Sequence, residues 1–298
     1  THSDLAPYHK ARFTNFLDYP TYFTLQRAFA QGTEMKALAD YFCGFWASDQ
    51  AYAAGWRNNL MFLDNHDRTR ILHELSQHHT DRKVARAALQ FALACQLLGP
   101  QIPALYYGTE QEFCGALGYH QREDTGEWVG HDHYLREDMF ANPGCIWKFG
   151  SINRPIFPPY STHHATFQWI AQLAMIRQRY RLLQTGNRIV LGMTTHAIRY
   201  VLIHDPGQPQ PLLVAMNTTA NRVKQHGPII PVWYGSFSES EALTASEGTL
   251  VKVVKNEIQV ELPPFGFFIG QLLTAIKVNE ANNLPLGIER REEAMMTR

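Results

Sequence analysis

Met61-Phe62-Leu63-Asp64-Asn65-His66-Asp67 passes within a few residues from apolar to densely polar. Three apolar side chains of strand character are followed by an amide, an imidazole and two carboxylates. Beyond them, a polar stretch opens toward a helical pattern. A parallel strand that hands its last residues to a site has this composition. Asn65, His66 and Asp67 together offer donors and acceptors of the kind that sugar hydroxyls require in fixed positions. The same three residues also fit a turn followed by a helix N-cap, since Asn and Asp are common turn formers.

Upstream, Phe13, Phe16 and Leu17 read as a short strand ended by Tyr19-Pro20, because proline removes a ladder donor. Thr21 is the expected N-cap of a helix carrying Tyr22, Phe23, Leu25, Ala28 and Phe29, closed by Gly32. A second helix places Met35, Leu38, Ala39 and Phe42 on one face. Leu60 to Leu63 forms the next strand. Downstream, Asp81 to Leu98 is the strongest helix signal, with Val84, Ala88, Phe91, Ala92, Cys95 and Leu98 at helical spacing and Gly99-Pro100 as a stop. Ile102 to Tyr107 reads as a third short strand. A long segment from Thr109 to about Ser161 has loop composition, and loops of that size are functional or hold small elements of their own. Thr162 or Thr166 then opens a helix to about Arg181, with Phe167, Ile170, Leu173, Ala174 and Ile176 inward.

From about Gly186 the pattern changes to short β runs: Ile189–Leu191, Ala197–Ile203, Leu212–Met216, Leu250–Val254, Ile258–Leu262 and Phe267–Leu272. Turn signals separate them, as in an all-β sandwich. The expected organisation is a β/α segment over 1–183, a β-sandwich over 184–275 and a charged tail over 276–298. The β/α part has room for three units, where a closed eightfold barrel needs eight.

The chain carries 27 basic and 27 acidic residues, which favours neither nucleic acid nor an anionic membrane as partner. It contains no apolar run of the ~18 residues that argue for a membrane span. The first residue is Thr, with no signal-peptide pattern behind it, so further sequence upstream is expected and the compartment stays open. Cys43, Cys95, Cys114 and Cys145 match no zinc spacing. His73-Glu74-Leu75-Ser76-Gln77-His78 misses the zinc-protease spacing by one residue. His131-Asp132-His133 is more simply solvated or substrate-facing than a metal pair. No metal and no cofactor is expected.

Four segments resemble the α-amylase family, glycoside hydrolase family 13. Phe62-Leu63-Asp64-Asn65-His66-Asp67 is similar to that family's seventh-strand motif, and Gln101-Ile102-Pro103-Ala104-Leu105-Tyr106-Tyr107-Gly108-Thr109-Glu110 to its eighth-strand segment. Phe16-Leu17-Asp18-Tyr19-Pro20-Thr21-Tyr22 resembles the sixth-strand segment. Arg136-Glu137-Asp138-Met139 resembles the stretch after strand eight, with Leu135 where the family has Asn. Order and spacing agree from about Leu5 to Leu272. The resemblance implies the last three β/α units of a TIM (β/α)8 barrel followed by an antiparallel β-sandwich domain.

The resemblance also implies roles. Asp67 is the acidic residue that grips sugar hydroxyls at the cleavage subsite and favours the distorted ring. His66 donates to the same hydroxyls, Asn65 steadies the loop, and Arg136 touches a neighbouring sugar. Apart from the resemblance, Trp128 and Trp147 on the long segment are the candidates for stacking on a sugar, with core or loop packing the commoner role of such residues, and Tyr107 is a further candidate contact. Glu110 ties loops together. The substrate implied is an α-glucan or maltooligosaccharide, cleaved or transferred with retention by a carboxylate nucleophile and a carboxylic acid ~5 Å apart. By resemblance these two belong to strands four and five, and neither has a match here. His2-Ser3-Asp4-Leu5-Ala6-Pro7-Tyr8 looks like the segment just after the strand-five acid. The chain alone is therefore expected to be inactive, with the N-terminal barrel half supplied by another segment or a second chain. A non-catalytic amylase-like protein that binds sugar or a partner is the alternative; intact Asn65, His66 and Asp67 argue against it.

Overall fold

The structure, a computed structural model, describes all residues except 1, 14, 32–34, 44–54, 122–123, 127, 132–134, 138, 140–145, 150–151, 156–159, 193–197, 209 and 275–298. The helices are α1 (His2–Lys10), α2 (Tyr19–Gln31), α3 (Met35–Cys43), α4 (Ile71–His78), α5 (Arg82–Leu98), α6 (Ala165–Arg179) and the short α7 (Leu182–Thr185). Two strands lie among them, β1 (Leu60–Met61) and β2 (Ile102–Pro103).

β1 and β2 pair in parallel, Leu60 opposite Ile102 and Met61 opposite Pro103. Leu17 forms a parallel bridge to Leu60 on the other side. The three parallel segments expected from the sequence are thus neighbours, though shorter than their apolar runs. Asp18 ends the first of them. Its Oδ1 accepts the Thr21 N–H at 3.0 Å, so Asp18, and not Thr21, caps α2, and Pro20 falls in the first turn where its missing N–H costs nothing. The other oxygen of the fully buried Asp18 accepts from Gln101 at 2.7 Å and Asn59 at 3.3 Å. One carboxylate therefore joins the three strand segments.

Helix α5 begins where Asp81 caps it, the carboxylate accepting the Lys83 N–H at 2.7 Å. Its C-terminal carbonyls are satisfied by a distant side chain: Arg177 donates to Leu97 O and Gly99 O at 2.9 and 2.7 Å, and to Gln101 O at 2.8 Å. A cation at that helix end also meets the negative end of the macrodipole. Gln96, buried on α5, donates to Met61 O and Ala104 O, and so fixes the helix to the ends of β1 and β2. α6 starts at His164, whose ring accepts the Thr166 N–H. Leu173 and Ile176 are buried as expected, but Ala174 faces solvent.

The segment after β2 holds two hairpins, β3 (Gly118–Gln121) with β4 (Trp128–His131), and β5 (Ile146–Phe149) with β6 (Ile152–Pro155). The all-β part follows as β7 (Asn187–Gly192), β8 (Ile198–His204), β9 (Leu212–Asn217), β10 (Val223–Ile229), β11 (Phe237–Ala245), β12 (Leu250–Val254), β13 (Glu257–Leu262) and β14 (Phe267–Thr274). A five-stranded sheet has the order β11-β14-β9-β8-β7 and a three-stranded one β10-β13-β12, all antiparallel.

The five-stranded sheet is covered on both faces. Ile198, Tyr200, Leu202, Leu213 and Ala215 pack toward the three-stranded sheet. The alternate residues Val201, Ile203, Leu212, Val214 and Met216 pack with Phe91, Leu98 and Leu183 of the helices. The period of two along each strand assigns its side chains to the two cores in turn. Between α5 and the sandwich turns lies a cavity of about 250 Å³ lined by Val84, Ala87, Gln90, Pro263 and Pro264 among others; no candidate site residue borders it. No helix among the described residues is long and apolar enough to cross a membrane.

Candidate functional site

The turn from Asp64 to Arg70 leaves the C-terminal end of β1 and is pinned at three points. Asp64 is buried, and its carboxylate accepts the Thr109 hydroxyl at 2.9 Å and the Ile71 N–H at 3.1 Å. Burial raises the Asp64 carboxyl above its ordinary range, opposed by Arg70 and by these donors. Asn65 is 7% exposed. Its Oδ1 accepts the Asp67 N–H at 2.8 Å, closing an Asx turn, and its Nδ2 donates to the Tyr19 hydroxyl at 3.1 Å.

Arg70 is the third pin and is fully buried. Its Nε meets Glu137 Oε2 at 3.1 Å, and its Nη1 donates to Tyr107 O at 2.7 Å. The guanidinium lies 4.2 Å from the centre of the Tyr106 ring, a desolvated cation–π contact. Glu137 also accepts the Cys114 N–H at 2.9 Å. Burial pushes its carboxyl up, against the pull of Arg70 and the backbone donors. Burial also raises the Tyr106 phenol, to about 12, so the ring under the guanidinium stays neutral.

Between these pins His66 and Asp67 stand out. Both side chains are 54% exposed, and His66 Nε2 lies 3.3 Å from Asp67 Oδ2. Of the turn's acidic and imidazole groups, Asp64 is consumed internally, whereas His66 and Asp67 face outward as an adjacent donor–acceptor pair.

The second wall of the site comes from the end of β2. Tyr107 is 40% exposed while its carbonyl holds Arg70. Gly108 has φ +84°, and a Cβ there would fall 2.1 Å from the Phe113 ring, so only glycine fits. The loop ties expected of Glu110 are made by its neighbours. Thr109 bonds Asp64, and the buried Glu112 meets Arg86 at 2.7 Å and the Thr166 hydroxyl at 2.9 Å. Burial alone would raise the Glu112 carboxyl; the hydrogen bonds from Arg86 and Thr166 and the Arg86 charge outweigh it and hold it low.

Arg136 is exposed, between the fully buried Leu135 and the Glu137 that pairs Arg70. Leu135, where the resemblance has Asn, acts as an apolar anchor. Asn65, His66, Asp67, Tyr107 and Arg136 thus sit on loops cross-linked through Arg70. Trp128 lies on β4, paired with Gln121 of β3; its side chain, and that of Trp147, lie outside the described residues, as does His133. Among the described residues no group of three or more His, Cys, Asp or Glu is arranged to hold a metal ion. Arg70 carried no signal in the sequence beyond being a cation before an apolar helix. Glu137 stood inside a motif whose visible interest was Arg136.

No family model matches the chain. A β/α-amylase of Paenibacillus polymyxa is 27% identical over 172 residues, which are 58% of this chain and 11% of that protein. Among solved structures, an Anoxybacillus α-amylase superposes with a TM-score of 0.63 at 18% identity, covering 91% of this chain and 50% of that one. The α-amylase of Geobacillus thermoleovorans, solved with acarbose, gives 0.63 at 17% identity over 93% of this chain and 52% of that one. The chain therefore spans about half the length of these solved α-amylases and about a tenth of the curated relative. Their fold, a TIM barrel with a C-terminal β domain, is shared in part by this chain. By fold and by sequence the chain is similar to the C-terminal portion of α-amylase-family proteins, the resemblance that its motifs carried.

Proposed function

We propose that the chain forms the sugar-gripping wall of an α-amylase-family glycosidase cleft that acts on α-glucosidic bonds of glucans or maltooligosaccharides. The observation that carries this reading is the pair His66 and Asp67, half exposed and 3.3 Å apart on a turn where the side chains of Asp64 and Asn65 are bonded internally. Asp67 accepts hydrogen bonds from ring hydroxyls and sets a negative charge near an oxocarbenium-like transition state; His66 donates to the same ring. Arg136 and Tyr107 bound the adjoining subsite, and Trp128 is a stacking surface on the hairpin beyond. Residues 1–183 are the last three β/α units of the barrel, and 184–275 the sandwich.

The remaining reactants are a nucleophile and a general acid, and the 298 residues have no segment resembling those that bear them. One carboxylate cannot carry a two-carboxylate mechanism, because the reacting groups act as a unit. The site is completed by the barrel half that these residues do not supply, on the same or another chain. Leu17, Ile102 and Leu105, on or beside the parallel strands, are 38–44% exposed, and parallel strands are ordinarily covered on both faces. Incubating the 298-residue protein with starch and with maltooligosaccharides is expected to give no reducing-sugar release. Turnover that Asp67→Asn abolishes would contradict this half of the proposal.

A further inference from the structure

Trp233 is 78% exposed, beside Val232 at 73%. The other described tryptophan side chains are held inside: Trp56 is 5% exposed, and Trp169 donates its Nε1–H to Gln90 O at 2.9 Å. Large exposed apolar groups are ordinary on floppy segments, but this one sits on a fixed mount. Residues Val232–Tyr234 form a 3-10 turn after Pro231. The buried Asn256 grips both ends of it: Nδ2 donates to Ile230 O at 2.9 Å and Gly235 O at 2.8 Å, and Oδ1 accepts the Phe237 N–H. Backbone bonds Ile230 N–H to Asn256 O and Asn256 N–H to Phe237 O complete the clamp. Asn256 has φ +66°, a conformation that Asn tolerates better than most residues. Gly235 has φ +126°, with the Phe237 ring 2.8 Å from where a Cβ would be.

The turn therefore holds the indole out, 78% exposed among the described residues. Tyr234 is half-buried beside it, its ring 6.0 Å from that of Trp233 and 4.8 Å from that of His204. A flat exposed ring on a rigid support, with a phenol beside it and an imidazole against that phenol, presents one apolar face and a polar margin. A pyranose ring has the same division: a C–H face and a rim of hydroxyls. The exposed area argues against a protein partner. Trp233 and Val232 are two side chains, far below the ~800 Å² per partner of a stable interface. The apolar residues next along the sheet, Ile229 and Val254, share their row with Glu257, whose carboxylate meets His226 at 2.9 Å. A ring ligand bearing phosphates is disfavoured by the even balance of 27 basic and 27 acidic residues.

We propose that Trp233, with Tyr234 and His204, is a second glucan-binding platform on the sandwich, apart from the Asp67 turn. The choice of an α-glucan as ligand rests on the proposed function; the existence of a stacking platform does not. Rigid mounting lowers the entropy lost when the sugar stacks. The test is titration of the 298-residue protein with maltoheptaose, followed by tryptophan fluorescence. Saturable quenching is expected in the wild type; by calorimetry, which does not need the indole as reporter, the affinity is expected to fall about tenfold or more in Trp233→Ala and to be largely retained in Trp233→Phe. With its side chain in solvent, Trp233→Ala is expected to fold normally. Asp67→Asn is expected to leave the Trp233-dependent quenching in place and to remove only the part of the binding that belongs to the turn after β1. No binding in the wild type, or the same affinity in Trp233→Ala, overturns the platform. A signal lost in Asp67→Asn but kept in Trp233→Ala overturns it while leaving the cleft reading intact. Concentration-dependent dimerisation that Trp233→Ala abolishes would assign the surface to a second copy and overturn the glucan.

Discussion

Replacing Arg70 by methionine is expected to cost about 3–5 kcal/mol of folding stability, because it leaves the Glu137 carboxylate buried without its partner. The guanidinium is fully buried, bonded to Glu137 and Tyr107 O, and stacked on Tyr106. Replacing both partners, Arg70→Met with Glu137→Leu, removes both buried charges at once and is expected to recover most of the loss. The Tyr107 carbonyl and the Cys114 N–H then lose side-chain partners, so recovery is incomplete. Urea unfolding of the two single variants and the double one, followed by circular dichroism, measures the coupling. Additive losses would show that Arg70 and Glu137 do not act as a pair.

Phe267→Ala is the second large effect, about 3–5 kcal/mol, as expected for emptying a fully buried aromatic site. Phe267 belongs to β14, opposite Met216 of β9, and its ring centre is 6.5 Å from that of Phe91 on α5. The same cluster runs from Leu25 and Phe29 of α2 through α5 to the inner face of the five-stranded sheet. A cavity there weakens the helical layer and the sheet together. The expected unfolding curve is one transition shifted to lower urea, with helical and near-ultraviolet signals coincident. Two separated transitions would show that the sheet folds on its own and that the shared core contributes little.

Much of this was readable in the sequence where the signal is local. Asp81, the helical spacing from Val84 to Leu98 and Gly99-Pro100 describe α5 to within a residue, because cap, periodicity and stop agree. The motif residues from Phe62 to Asp67 and from Gln101 to Thr109 marked the ends of β1 and β2. Strands β10 and β11 left no clear pattern. β10 contains Gly227 and Pro228 and a register shift between His226 and Ile229, and it lies on an edge. β11 is the opposite case, a polar alternation from Phe237 to Ala245 on the edge of the five-stranded sheet, with little to bury.

The packing of the five-stranded sheet on the helices is a different case. Tyr200–Ile203 and Leu212–Met216 are continuous apolar runs, and such runs are buried on both faces; a two-layer sandwich does not need that, and the helices supply the extra layer. At the site, Asn65, His66 and Asp67 were visible because they are consecutive. Arg70 and Glu137 were not, being 67 residues apart and joined only by the fold. Asp18 went unnoticed as a cap because Thr21, three residues on, offered the same chemistry.

The central claim is that the turn after β1 grips a glucose unit through His66 and Asp67, and weak binding of that kind is read best residue by residue. A ¹H–¹⁵N correlation spectrum of the 298-residue protein, titrated with maltotriose, is expected to show saturable shifts at His66, Asp67 and Arg136, and Asp67→Asn is expected to remove the shifts of this group. Unchanged resonances at all three positions up to the highest maltotriose concentration would contradict the account.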